Sequence, residues 1–318
     1  MMRGAAVFAA ACVVSLYFSC DAAADNGPHI MGMGATTDRC AMCHRAHTAQ
    51  APYLLKQPEE ALCYTCHGTS GTGSNLDVAD GVGYSGAGRT GAKMALRGGG
   101  FKYALIDSAH PSGNGYVGEI PTLASGAAVT SAHSVDSSSQ MAWGNGPING
   151  SEASYGKQVA LRCGSCHDPH GNGNYRILRP IPQESGATTG VSIGDTTAKV
   201  YTTENYWEVE DESAPEFVEK ISSWCATCHT RYLAGHNSAT TSSGDKVFTY
   251  RHRTNETSQS TPTCIQCHVA HGSNASMGTY SAAIANPDGS SAVSTPAGPD
   301  SRLLRIDNMG VCQMCHNK

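Results

Sequence analysis

The 318-residue sequence has little of what builds a side-chain core. Leu, Ile, Val and Phe together number 46, about 14% of the chain and below the ~20% at which packed cores become difficult. Charged residues make up only 15% and the formal net charge is −5, so a charge-expanded coil does not fit either. There is no Lys/Arg cluster, which argues against nucleic acid as a partner. No uninterrupted apolar run reaches the ~18 residues of a transmembrane segment. Something other than side chains has to supply the apolar interior.

What is abundant is Cys and His, 14 of each. Cys12 and Cys20 fall in a segment that reads as a secretory signal. It has Arg3, a small-and-apolar run from Gly4 to Phe18, and Ala22-Ala23-Ala24 before Asp25. Residues 1–24 are therefore expected to be a signal peptide, with 25–318 forming a single domain. The other twelve cysteines form six copies of Cys-x-x-Cys-His. The first three are Cys40, Cys43 and His44, then Cys63, Cys66 and His67, then Cys163, Cys166 and His167. The last three are Cys225, Cys228 and His229, then Cys264, Cys267 and His268, then Cys312, Cys315 and His316. This is the attachment signature of c-type haem. Two thiols three residues apart add to the two vinyl groups of one porphyrin, and the adjacent His reaches the iron. A disulfide scaffold would not place His after every second Cys, and zinc knuckles would not need six histidines. Six covalently bound haem c groups are expected.

Eight histidines remain: His29, His47, His110, His133, His170, His236, His252 and His271. His47, His170 and His271 each follow a motif by three residues, and His29, His133 and His252 precede those same three motifs. The chain thus reads as a threefold repeat, His…CxxCHxxH…CxxCH, over approximately 29–67, 133–229 and 252–316. A His three residues after a proximal ligand shares its backbone turn, so it has to reach a different iron. His29, His47, His133, His170, His252 and His271 are the candidate distal ligands; His110 and His236 read as loop residues. Met, the rival ligand, shows no recurring offset from the motifs.

The expected fold is mostly coil, with short helices at the haem motifs, little β structure and a haem-packed core. Pro58-Glu59-Glu60 reads as the first turn of a helix into Cys63, and Ser213-Ala-Pro-Glu216 as a capping box leading to Cys225. Asp307 reads as the cap of a brief turn into Cys312. The Gly/Ser/Thr-rich stretches Gly68–Ser154, Gly171–Thr203 and Gly272–Pro299 read as coil and turn, with a short hairpin near Val191–Val200.

In Leu161-Arg-Cys163-Gly-Ser-Cys166-His167-Asp-Pro-His170-Gly171, Ser223-Trp224-Cys225-Ala-Thr-Cys228-His229-Thr230 and Cys264-Ile-Gln-Cys267-His268-Val-Ala-His271, the chain resembles the extracellular multihaem cytochromes of metal-respiring bacteria with doubled CxxCH motifs. It is most similar to their filament-forming hexahaem members, described as microbial nanowires, although the intervening loops are shorter and differ. The resemblance implies a continuous row of bis-histidine haems. It also implies that His47 ligates the fifth haem, at His268, of a neighbouring subunit in a homopolymer. Such a protein carries electrons to redox partners and extracellular acceptors, is secreted or held at the outer surface, and is not an enzyme. The alternatives are a non-polymerising periplasmic or outer-membrane-conduit carrier, and a multihaem oxidoreductase of the nitrite or hydroxylamine type.

Overall fold

The computed structural model describes residues 27–29, 37–107, 122–147, 155–194, 215–236, 241–255, 262–275, 284–291, 294–295 and 298–305. The signal segment, His110, Asp307 and the sixth motif, with Cys312, Cys315 and His316, lie outside them. Five short helices carry the other motifs: α1 (Thr37–Cys43), α2 (Glu59–His67), α3 (Cys163–Cys166), α4 (Pro215–Cys225) and α5 (Cys264–Cys267). The acids of α2 stand in its first turn behind Pro58, where the helix dipole favours them. In α4, Pro occupies the first position, and Phe217 and Ile221, one turn apart, are both buried. The start expected at Ser213 lies outside the described residues. Helices α3 and α5 are single turns ended by a His in extended backbone, at φ −107°, ψ 145° for His167 and φ −115°, ψ 155° for His268.

The long Gly-rich stretch departs from the expected coil. Residues 68–147 contain β1 (Leu76–Asp77), β2 (Val82–Gly86) and β3 (Thr90–Ala95) in one antiparallel sheet. They also contain β4 (Tyr103–Asp107) paired with β5 (Thr122–Ala128), then β6 (Ser131–Ala132) and β7 (Ser139–Trp143). Strand β7 forms a two-stranded sheet with β8 (Gly156–Ala160). Glycine makes these turns possible: the loop between β2 and β3 holds Gly88 at φ 65°, which costs a residue without Cβ little. The hairpin anticipated near Val191–Val200 is described only to Gly194, which forms an isolated bridge with Asn174.

Apolar packing is local. One cluster joins Tyr175, Leu178, Ile193, Phe217, Ile221 and Ile265; another joins Ala142, Val159 and Leu161. A buried ion pair, Arg231 to Asp245 at 2.5 Å, follows the fourth motif, and the Arg231 amide donates to Gly144 O just after β7. β6 pairs with β9 (Gly272–Ser273), a ladder that begins one residue after His271 and ends one residue before His133. That ladder brings together histidines 138 positions apart in sequence. Among the described residues no helix is long and apolar enough to cross a membrane.

Candidate functional site

The odd-numbered motifs share one backbone device. In the first motif, Tyr53 O accepts from the His44 ring, Leu54 O accepts from the Arg45 amide, and the Lys56 amide donates to Cys43 O. In the third, the acceptors are Arg176 O and Ile177 O, and the Arg179 amide donates to Cys166 O. In the fifth they are Arg302 O and Leu303 O, and the Arg305 amide donates to Cys267 O. Each motif His also bridges the Leu of its segment, Leu55, Leu178 or Leu304.

Two residues of each segment hold left-handed backbone: Tyr53 and Leu54, Arg176 and Ile177, Arg302 and Leu303, at φ between 50° and 62°. Such a conformation is uncommon for a branched side chain and persists only where its surroundings enforce it. Two cations reach back over the Cys-x-x-Cys turn, with Arg179 Nε donating to Gly164 O at 2.7 Å and Arg305 Nε to Ile265 O at 2.5 Å. The sequence reading missed this clasp. Its signal is present as Tyr-Leu-Leu-Lys at 53–56, Arg-Ile-Leu-Arg at 176–179 and Arg-Leu-Leu-Arg at 302–305.

The second motif is held differently. Cys63 and Cys66 are both partly buried in α2, and Cys66 O accepts from Arg89 at 2.9 Å. The same guanidinium pairs with the buried Asp77 carboxylate at 3.2 Å, so an arginine from the β2–β3 turn closes the end of this motif. Cys315, expected as the second attachment thiol of the sixth motif, lies outside the described residues with Cys312 and His316.

Among the described residues, seven imidazoles are oriented by a backbone carbonyl. His44, His67, His167, His229 and His268 contact Tyr53 O, Leu76 O, Arg176 O, Trp143 O and Arg302 O at 2.9, 3.3, 2.8, 2.5 and 3.0 Å. His29 and His133 contact Pro169 O and Ala270 O, both at 2.7 Å. A carbonyl only accepts, so the proton sits on Nδ1 and the Nε2 lone pair is left for a metal.

The rings also face one another in pairs. Centroid separations are 6.2 Å for His29–His67, His44–His170 and His133–His229, and 6.4 Å for His167–His271. With metal–nitrogen bonds of about 2 Å, two imidazoles on opposite sides of one ion have ring centres about 6 Å apart. Among the described residues no group of three or more His, Cys, Asp or Glu could hold a bare ion. The pairs therefore suit a metal whose remaining ligands come from elsewhere, as a porphyrin supplies four nitrogens. The free cysteines one and four residues before each described motif His suit its covalent attachment.

Residues 33–72 match the family model of the doubled CXXCH motif. No curated protein and no solved structure matches the chain. The doubled motif supports a multihaem c-type cytochrome, with covalently bound haem c and a part in electron transfer.

The pairs follow a rule. The His three residues after a doubled-motif His faces the odd-numbered motif one unit earlier: His170 faces His44, and His271 faces His167. The leading His of a unit faces that unit's even motif, and is oriented by a carbonyl between the two histidines of the next unit's HxxH. Gly99, at φ 72°, makes part of this possible. A Cβ there would collide with Gly272 O, and the neighbouring Gly98 O accepts from the His271 amide at 2.7 Å.

The remaining candidates stand apart. His47 and His236 are exposed, and among the described residues neither faces another imidazole. His252 is exposed and close enough to His268 for its charge to lower that group's pKa. The thiols put the motifs in spatial sequence. Cys43 lies near Cys63 and Cys66, and Cys63 lies near Cys163. Cys166 lies near Cys228, and Cys225 lies near Cys264.

Electrostatics favours ligands over charges here. Burial is the first cause that lowers His67, His133, His167 and His268, and it pushes His229 down to about 4 and His271 to about 3. Neutral imidazole is the form that binds iron. Burial pushes the Cys166 thiol up to about 12.

Proposed function

We propose that the chain is an exported hexahaem c-type cytochrome that carries electrons along a row of bis-histidine haems and continues that row between copies. The observation that carries this reading is the set of four facing imidazole pairs, most with Nδ1 pinned to a carbonyl. The twelve motif cysteines hold the porphyrins, Cys66 and Cys315 being the second thiols of the second and sixth. His44, His67, His167, His229, His268 and His316 would each bind the iron of their own motif. His170, His29, His271 and His133 would supply the second imidazole to the first four. Bound haem supplies a one-electron iron couple, whose potential the axial ligands and burial tune. With neutral imidazoles on both sides, those four haems would offer no open position to a substrate, which supports electron transfer over an enzymatic reading. The porphyrins supply the apolar interior that 46 Leu, Ile, Val and Phe residues do not.

The pairing rule, extended past the third unit, calls for a fourth. The first unit of another protomer fits that place: His47 of one protomer faces His268 of the next, and His252 faces His316. The exposure of His47 supports this, as do the exposed Met42, Tyr53 and Leu54 beside it. A head-to-tail contact of this kind does not close on itself and grows as a filament. An extracellular location fits both the leader and the polymer.

The nearness of His252 to His268 favours a second reading, a non-polymerising carrier that completes its fifth haem within one chain. Haem content, carbon monoxide binding and negative-stain microscopy of secreted protein separate the readings. Six covalent haems, no carbon monoxide adduct and filaments dispersed by His47→Ala support the polymer. Single particles unaffected by His47→Ala, in which His252→Ala opens one haem to carbon monoxide, support the carrier. Fewer than six covalent haems would overturn both.

A further inference from the structure

Each even motif within the described residues touches the odd motif that follows it through the same device. At the first junction, Glu59 in the opening turn of α2 accepts a hydrogen bond at 2.6 Å from the amide of Gly164, inside the single turn α3. A carboxylate acceptor makes such a bond about twice as strong as a neutral one. One turn further along α2, the Cys63 side chain comes close to Cys163, the first residue of α3. Residues four apart share a helix face, so Glu59 and Cys63 present the same face of α2 to α3, and the Glu59 hydrogen bond sets how the two helices meet. Gly164 is fitted to the contact, because a Cβ there would lie 2.8 Å from Glu59 Oε1.

At the second junction the parts change and the arrangement does not. Ser222 of α4, fully buried, accepts from the amide of Cys264 at 3.3 Å, and three residues on the Cys225 thiol meets the Cys264 thiol. Both acceptors lie three or four residues before the first Cys of an even motif. Both take an amide from the first turn of an odd one. Neither belongs to a haem motif.

We propose that Glu59 and Ser222 are positioning residues for electron transfer, each setting how closely the porphyrin edge carried by an even motif approaches that of the next odd motif. This rests on the hexahaem reading above. In the step concerned, one iron(II) is oxidised as the neighbouring iron(III) is reduced, and its rate falls steeply with separation.

The test uses holoprotein and compares Glu59→Ala, Glu59→Gln, Ser222→Ala and the neighbouring Glu60→Ala. The readouts are covalent haem count, the Soret circular-dichroism couplet from interacting haems, and inter-haem transfer by transient absorption. Glu59→Ala and Ser222→Ala are expected to keep six haems while weakening the couplet and slowing transfer. Glu59→Gln, which retains the Oε1 acceptor, and Glu60→Ala are expected to match the parent. A Glu59→Ala holoprotein with the parent's couplet and rates overturns the proposal. Should Glu59→Ala fail to mature, Ser222→Ala decides by the same criterion, because it removes a single oxygen. A parent lacking six haems would instead overturn the function reading.

Discussion

Tyr53 and Leu54 of the first clasp are 78% and 55% exposed, whereas Arg176 and Ile177 at the equivalent places are half-buried and Leu178 is only 8% exposed. The backbone and imidazole hydrogen bonds of the two clasps are the same and their backbones are left-handed at the same two residues. What differs is the neighbour. Phe217 and Ile221 of α4, with Ile193 and Ile265, close over Leu178, and the Trp224 indole donates to Arg179 O at 2.7 Å. Among the described residues no comparable cluster covers Tyr53 and Leu54. A single exposed apolar residue is ordinary, but Met42, Tyr53 and Leu54 gather on one unit. The clasp is thus a local response to the motif, and burial of the third-motif clasp is added mainly by α4 of the same unit, with Ile265 from the next. The clasp of the first unit is the more exposed of the two.

The largest expected effect erases the comparison altogether. Chain produced without haem attachment should lose both the buried and the exposed unit, because metal-group binding and folding are coupled. A cooperative circular-dichroism melt of haem-free protein would show that the second unit stands on its side chains. Next comes the choice of ligand. His271→Ala should open one haem per chain to carbon monoxide in any state of assembly, whereas His47→Ala should disperse filaments and leave the His44–His170 pair intact. Equal carbon monoxide adducts in isolated subunits of both variants would break the distinction between closed and open units.

Packing gives a smaller contrast. Leu178→Ala should cost about 2–5 kcal/mol by denaturant melts of the holoprotein, since it empties a buried site. Leu54→Ala, at an exposed site, should stay within about 0.5 kcal/mol in the isolated subunit. The same substitution in assembled filaments should lower their stability, and identical melts of assembled Leu54→Ala and parent would remove Leu54 from the contact. The smallest contrast concerns the basic residue that ends each clasp. Arg305→Ala removes buried hydrogen bonds to Ile265 O and Arg97 O and should cost about 1–3 kcal/mol, with Lys56→Ala costing less. Equal losses in the two would mean that the clasps do not differ in burial.

The short helices could be read from Pro58-Glu59-Glu60 and from Pro215 because capping and dipole effects act within one turn. The hairpins of 68–147 could not, since Gly-rich segments carry weak alternation and take their pairing from distant strands. The hold of Arg89 on Cys66 was hidden for the same reason, because it depends on the β2–β3 turn folding back over α2. The clasp lay in plain view as three similar tetrapeptides, yet the third stands 34 residues after its His and the others nine, so a fixed offset hid it.

The cysteine–histidine spacing alone pointed to the attachment chemistry, which depends on atoms within one helical turn, and the recurrence of His around the motifs gave their threefold order. Which imidazole faces which was decided only in three dimensions. His29 is oriented by Pro169, 140 residues away, and His44 faces His170. Those partners meet because turns, ladders and clasps carry distant segments together, and a spacing rule has no information about approach across the fold.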